Sequence, residues 1–362
     1  MYYSSTYHTS RIESNHRIRT DQYVSVISGT DVCPMKSVLR RIGQQLFTAL
    51  SAKGLAVLVN HGIADEKVSI EKTEPISSAR RHSAVSFIIR SCYNNFNLQS
   101  LSLSLPQELR HSFNITTLSA SSMPAQEEVP EFTKHAVPLA QDLTNLSRVV
   151  LQALAYLNSP NVENSLIPGV PPTSLLASHS GMLMPEGRNA STMRLLYYPP
   201  VPPEDVGPCC QSDAVHYTRC GAHADYGTFT LLAQDSEGGL EVRVKLNGSD
   251  KWEKVGHLPG AILVQSGEFL AAWTANVLPA LVHRVVVPPG EYARARGRHC
   301  VAFFCHPDTD AVLPPLPLRA AATPPPPAFA PHTHLTLHHR LLNAAHHLQK
   351  RFRETYTSSN HY

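Results

Sequence analysis

From Thr192 onward the chain breaks into short β-type runs punctuated by Gly, Pro and Asp, and that punctuation limits the fold more than any other feature. The runs lie near 192–198 (TMRLLYY), 215–220, 227–233 (GTFTLLA), 239–245, 261–265, 280–287 (ALVHRVVV) and 299–305 (HCVAFFC). Each is too short for an ordinary helix, and several are rich in β-branched and aromatic residues. Several short strands at this spacing predict a sandwich or jelly roll rather than a parallel sheet. Proline, at 29 of 362 residues, argues in the same direction against an all-helical protein.

The sequence upstream has a different texture. Residues 1–34 read as a polar lead-in. Over Lys36–Lys53 the apolar positions Val38, Leu39, Ile42, Leu46, Ala49 and Leu50 recur at helical spacing, and Gly54 stands where a helix C-terminus favours glycine. Leu55–Val59 follows as a short buried strand closed by Asn60-His61-Gly62. A second helix is expected over Leu139–Leu157 from Leu143, Leu146, Val150, Leu151 and Leu154, with Pro160 blocking its continuation. Between them, residues 64–135 show no sustained period, and Ser119–Pro130 reads as loop. Pro314–Pro331 reads as an extended surface arm, and a last helix is expected over about Leu341–Tyr356 with Leu342, Ala345, Leu348 and Phe352 as its buried stripe.

Composition removes several function classes. Hydrophobic residues make up 42% and charged residues 16%, the balance of a globular chain. No apolar run is long enough to cross a bilayer, so no membrane role is expected. Lys and Arg (31) nearly balance Asp and Glu (28), and the charge is spread without a basic stripe, so no nucleic-acid partner is expected. Seven scattered cysteines form no CxxC and no even framework, which points to a reducing, cytoplasmic compartment. The first residues, MYYSSTYHTSRIESNHRIRT, carry no apolar core of the signal-peptide kind. Neither GxGxxG after a strand nor GxxxxGK[ST] is present, so nucleotide binding lacks support.

Twenty histidines invite metal chemistry. In Gly221-Ala222-His223-Ala224-Asp225-Tyr226-Gly227, side chains two apart project to one side of an extended strand, so His223 and Asp225 can address one ion together. A second imidazole from another strand would complete a facial set of two histidines and one carboxylate, which favours non-haem Fe(II). His283 suits that role, since within Leu281–Val287 it alternates onto the face of Leu281, Val285 and Val287 while Arg284 points away. Taken singly, the same residues also read as polar turn residues and a satisfied core histidine. A second H-x-D, His306-Pro307-Asp308, is set aside because proline interrupts a strand ladder.

Arg298 shares a strand face with Cys300, Ala302 and Phe304. A guanidinium beside an apolar interior is costly unless it meets an anion, and its fork fits a carboxylate. Tyr198, ending Arg194-Leu195-Leu196-Tyr197-Tyr198, is placed to offer a phenol hydroxyl to the same ligand. Alone, Arg298 reads equally well as a surface cation and Tyr198 as a core or rim aromatic. The tail histidines His332, His334, His338, His339, His346 and His347 read as solvated or helix-packing residues, since no carboxylate or cysteine completes a site there.

Together these segments resemble the iron(II)/2-oxoglutarate-dependent dioxygenases of the isopenicillin N synthase-like family. The resemblance runs through Leu58–Ile63 (LVNHGI), Met193–Pro200, Cys220–Arg243, Pro259–Leu263 (PGAIL), His283–Pro288 (HRVVVP) and Arg298–Asp308, with a fainter match in LQKRFRETY of the last helix. It implies a mainly β fold with flanking helices, whose core is a distorted double-stranded β-helix (jelly roll) of cupin-like form. It implies domains at 1–34 (lead-in), 35–190 (N-terminal helical region), 191–310 (jelly-roll core), 311–333 (Pro-rich arm) and 334–362 (C-terminal helix and tail). It also implies His223, Asp225 and His283 as ligands of Fe(II), with Arg298 gripping the distal carboxylate of 2-oxoglutarate and Tyr198 approaching its other end. The implied activity uses O2 to oxidise a small organic substrate by hydroxylation or desaturation, releasing succinate and CO2, in a monomer.

Two departures qualify the resemblance. The serine of the family's R-x-S motif is Cys300 here, a weak thiol in place of a good hydroxyl donor. Cosubstrate affinity is therefore expected to fall by about 0.5–1.5 kcal/mol, the value of one neutral hydrogen bond. Residues 64–135, where the family carries legible helices around its substrate entrance, match only through Leu105–Leu109 (LPQEL). These departures leave a second reading, a metal-binding relative with impaired catalysis that acts as an interaction protein.

Overall fold

The computed structural model describes residues 17–19, 32–68, 110–119, 123–156 except 126, 128 and 130, 172–201 except 186, 218–288 except 247 and 275, 295–313 and 342–357. The expected loop at 119–130 is described only in part. Most of the illegible stretch, the LPQEL match, the proline-rich arm and the histidines from His332 to His339 lie outside the described residues.

In chain order the elements are β1 (Arg17–Arg19), α1 (Val32–Lys53), β2 (Leu55–Val59), α2 (Asp65–Val68), β3 (His111–Ile115), α3 (Phe132–Tyr156), α4 (Pro172–Ala177) and β4 (Thr192–Tyr198). There follow β5 (Thr218–His223), β6 (Phe229–Gln234), β7 (Leu240–Leu246), β8 (Ser249–Lys254), β9 (Ile262–Ser266), α5 (Glu268–Trp273), β10 (His283–Val286), β11 (Arg298–Cys305), β12 (Val312–Leu313), β13 (Leu342–Asn343) and α6 (Ala344–Thr357). A seven-stranded sheet runs β1-β2-β9-β6-β11-β4-β3, and a four-stranded antiparallel sheet runs β5-β10-β7-β8. The large sheet is antiparallel except for the β1–β2 pair. The two sheets face one another as a jelly roll, the architecture expected.

The period of two in the strands decides what each face of the large sheet meets. On β11, Val301, Phe303 and Cys305 join the helix-side core with Ile42, Leu46 and Leu50 of α1 and Leu143, Leu146 and Val150 of α3. The alternate residues Cys300 and Ala302 turn inward, with Leu196, Tyr198 and Leu232, to meet Cys220, Leu240, Val242 and Val285 of the small sheet. Both faces of the large sheet are therefore covered, so β6 and β9 are buried along their whole length. The inward face is where polar residues interrupt the apolar lining, and the candidate site stands there.

Several boundaries differ from expectation for identifiable reasons. Helix α3 begins at Phe132 and carries Pro138 inside it; the burial of Phe132 and Ala136 outweighs the hydrogen bond that proline forfeits. Strands β3 (HSFNI) and β8 (SDKWEK) were unexpected, being sheet edges with little apolar content. Strand β8 is joined to β7 through Gly248, whose φ of +79° suits glycine. His61 has its Nε2 on the Gly260 carbonyl at 2.7 Å, tying the Asn60-His61-Gly62 turn to the Pro259–Leu263 segment.

Candidate metal centre

Antiparallel pairing of β5 with β10 sets His223 opposite His283, closing a long sequence gap in one register step. Cross-strand neighbours lie within about 5.5 Å at Cα, and the two imidazole centroids are 4.4 Å apart. Each ring is oriented the same way by its own strand. Nδ1 of His223 donates to the Gly221 carbonyl at 2.8 Å, and Nδ1 of His283 donates to the Leu281 carbonyl at 3.2 Å. A carbonyl only accepts, so Nδ1 carries the proton and Nε2 is the atom offered to an ion.

Asp225 lies two residues beyond the end of β5 and is 8% exposed. Thr230 of β6 donates its hydroxyl to Asp225 Oδ2 at 2.5 Å, while Oδ1 stands 3.7 Å from His223 Nε2. Ligand atoms of His223, Asp225 and His283 all lie within 4.8 Å of one another, and among the described residues they form the one such group. Ligands about 2.1 Å from an ion and at right angles are about 3 Å apart, so a small inward movement closes the set. Two imidazole nitrogens and one carboxylate oxygen fit a divalent ion of the ferrous type and leave other positions open.

The two histidines respond to this setting in opposite directions. Desolvation opposes a charge on His223, whose side chain is 40% exposed, but Cys220 and Asp225 outweigh it and raise its pKa. Burial and then the neighbouring His223 push His283 down to about 4. A proton on His223 Nε2 would stand between that atom and Asp225 Oδ1, 3.7 Å away, where a cation would also bind, so ion binding is expected to release it.

Arg298, at the start of β11, is 1% exposed. It pairs across strands with Tyr198 of β4, and its guanidinium lies over the Tyr198 ring, 5.1 Å from the centroid. The ring face of Tyr198 thus meets the guanidinium. Arg298 Nη2 donates to Gln234 Oε1 at 2.9 Å and Nη1 to Cys300 Sγ at 3.3 Å, while Nε has no partner among the described residues. Cys300 is buried, and burial raises its thiol pKa, so it serves Arg298 as a neutral acceptor.

Sequence reasoning missed Thr230 and Gln234, which alternate along β6 onto the inner face and whose signal was that period of two. It also missed Asp235, whose Oδ2 accepts the His299 amide at 2.5 Å. Arg219 and Arg110 were missed as well; the latter directs Nη1 at Cys220 Sγ from 3.4 Å. The second H-x-D is structural, as expected. Asp308 accepts from Ser180 Oγ, from the Ser180 and Gly181 amides, and from Asn189 Nδ2, at 2.7–3.1 Å. Of the tail histidines, His347 stands on α6 against Phe269 at 5.7 Å between rings, a packing contact.

Comparison with known proteins matches the same segment. Residues 189–307 fit the model of the 2OG-Fe(II) oxygenase superfamily. A 2-oxoglutarate-dependent dioxygenase of Aspergillus rugulosus is 35% identical over 133 residues, which are 36% of this chain and 38% of that protein. A 2-oxoglutarate-dependent dioxygenase of a Dothideomycetidae species (strain 11243) is 26% identical over 305 residues, 76% of this chain and 82% of its own. The better-matched stretch thus spans less than half of the Aspergillus relative. Among solved structures, a full-length Neurospora crassa protein in complex with alpha-KG and thymine shares the fold with a TM-score of 0.63 at 18% identity, over 94% of this chain and 96% of that one. The segment that matches the 2OG-Fe(II) oxygenase superfamily model is thus the one that carries both the paired imidazoles and the buried arginine.

Proposed function

We propose that this chain is an Fe(II)- and 2-oxoglutarate-dependent oxygenase that hydroxylates or desaturates a small organic substrate, releasing succinate and CO2. The observation that carries the reading is the convergence of His223, Asp225 and His283, in a fold whose opposing sheet supplies the buried Arg298. The bound iron and cosubstrate supply the oxidising chemistry, in which O2 and 2-oxoglutarate are consumed as the substrate loses electrons.

The protein's part is binding, orientation and exclusion of water. His223 and His283 present Nε2, each fixed through its Nδ1–H, and Asp225 presents Oδ1 while Thr230 holds Oδ2. Arg298 receives the distal carboxylate, its fork aimed by Gln234 and Cys300 and its plane backed by Tyr198. Leu196, Leu232, Val242 and Ala302 keep the interior dry, which strengthens each of these charge interactions. No general base is required.

We read residues 191–310 as the catalytic core and 35–190 as the helical support behind it. We also read the protein as a cytosolic monomer; the free, buried thiols of Cys220, Cys300 and Cys305 support the compartment.

The test is succinate formation from 2-oxoglutarate by the Fe(II)-loaded protein under air, screened against a metabolite pool for substrates gaining one oxygen or losing two hydrogens. Turnover that disappears in His223→Ala is expected. A fully metallated protein that never consumes 2-oxoglutarate, or a His223→Ala variant with unchanged turnover, would overturn the reading.

A further inference from the structure

A second buried guanidinium stands beside the first. Arg219 is the unmatched residue of an irregularity in β5, between Thr218, which pairs with Val286, and Cys220, which pairs with Val285; it lies four residues before His223 and is 1% exposed. Its Nη2 donates to the Arg296 carbonyl at 2.9 Å, while Nε and Nη1 are buried without a partner among the described residues. The charged and polar groups acting on it are Arg298, Asp235, Tyr198 and Glu237. Arg298, Tyr198 and Asp235 are one neighbourhood, because Tyr198 and Asp235 also act on Arg298.

Two adjacent buried cations are unfavourable unless anions offset them, since each loses its hydration and repels the other. Asp235 offsets part of this charge, but its oxygens accept from backbone amides rather than from either guanidinium. Asp235 takes the His299 amide on Oδ2 and the Glu237 amide on Oδ1, and Glu237 pairs with Arg296 Nη2 at 2.9 Å. Three guanidinium N–H groups, Nε and Nη1 of Arg219 and Nε of Arg298, are left to point at an acceptor that the described residues do not supply. Burial and the charge of Arg298 disfavour the cationic form of Arg219, and a bound anion would reverse that penalty.

We propose that Arg219 is a second guanidinium for the distal carboxylate of the dicarboxylate cosubstrate, shared with Arg298. This rests on the oxygenase reading above. It also gives a reason why a thiol at position 300 is tolerated, because a charged donor on β5 supplies what the missing hydroxyl would have given.

The test is anaerobic calorimetry on the cobalt(II)-loaded full chain with two ligands, 2-oxoglutarate and 2-oxopentanoate, which matches it in length but lacks the distal carboxylate. In Arg219→Gln, 2-oxoglutarate is expected to bind roughly 10- to 100-fold more weakly, the value of a hydrogen bond to a charged group, with 2-oxopentanoate changed less than about twofold. Arg298→Gln is expected to behave the same way. Equal weakening of both ligands would assign Arg219 to holding the 296 backbone and overturn the proposal, as would unchanged 2-oxoglutarate binding. If Arg219→Gln does not fold, Arg219→Lys keeps the charge without the fork and is expected to lose about tenfold on 2-oxoglutarate alone. Loss in Arg298→Gln with none in either Arg219 variant would overturn this inference and leave the oxygenase reading standing. A wild-type protein that loads cobalt but binds neither ligand would overturn both.

Discussion

Thr230→Val exchanges a hydroxyl for a methyl beside the candidate metal centre without changing its shape. Thr230 is 2% exposed, and its hydroxyl donates to Asp225 Oδ2 at 2.5 Å. Valine fills the same volume, and a second methyl on the inner face of β6 is compatible with the apolar neighbour Leu232. What is lost is a single hydrogen bond to a buried carboxylate, about 1.5–3 kcal/mol. Without it Asp225 is free to rotate, so Oδ1 is no longer fixed toward His223 Nε2. The loss falls on ion binding and amounts to roughly 10- to 150-fold in affinity. Anaerobic titration of cobalt(II) or manganese(II) into both proteins reads this directly, and thermal unfolding checks that the barrel is intact. A Thr230→Val protein that folds and binds the ion within about twofold of wild type would refute the claim that Thr230 orients Asp225.

Other expectations follow from the same contacts. Cys300→Ser replaces the thiol beside Arg298 with a hydroxyl that also donates, and 2-oxoglutarate is expected to bind about 0.5–1.5 kcal/mol more tightly by calorimetry. His179 is fully buried, with Nδ1 on the Leu175 carbonyl and Nε2 facing Thr228 Oγ1, and burial lowers its pKa to about 4. A folded pKa below the unfolded value of about 6.5 means its contribution to stability is present above that pH and is lost as pH falls toward 4, by about 3 kcal/mol. Urea unfolding between pH 7 and 4 should show a shallower decline in His179→Gln than in wild type. Arg351 of α6 grips Glu268 through Nε and Nη2 at 2.5 and 2.8 Å, and the Glu268 amide donates to the Asp225 carbonyl at 2.8 Å. Arg351→Met is therefore expected to cost about 1–3 kcal/mol in urea unfolding, discounted from a fully buried pair, and to weaken ion binding. Gly267→Ala places a Cβ 2.1 Å from the Gly227 carbonyl oxygen, beside the Asp225 loop. With backbone on both sides, a melting temperature several degrees lower is expected.

How much was legible depended on whether one local period settled each residue. His223, Asp225 and His283 stood out because spacing by two and alternation in an apolar strand put each on the inner face, and the β5–β10 register then brought them together. Strands β4 and β11 followed from their own composition, and helix α1 from its apolar spacing. What escaped notice depends on pairing between distant strands. Arg219 and Gln234 are ordinary polar residues until β5, β6 and β11 are brought together around Arg298. The same holds for Asp235, which matters because the His299 amide comes to it from a distant strand. Edge strands β3 and β8 carry mixed or charged side chains, so pairing alone makes them strands. The bracing of the Asp225 loop by α6 was likewise hidden. Tyr226 stacks edge-on against Phe352 at 5.8 Å, and Arg351 lies over the Tyr226 ring. Removing the chain after residue 331 is therefore expected to disturb the candidate centre, although its three ligands all lie upstream of that point.

The most direct measurement is anomalous diffraction at the iron edge from crystals grown anaerobically with Fe(II). A single peak bounded by Nε2 of His223, Oδ1 of Asp225 and Nε2 of His283 is expected, absent from crystals of His283→Ala. Iron bound instead among the tail histidines, or no ordered iron between these three side chains in a protein that binds it in solution, would contradict the assignment of the metal centre.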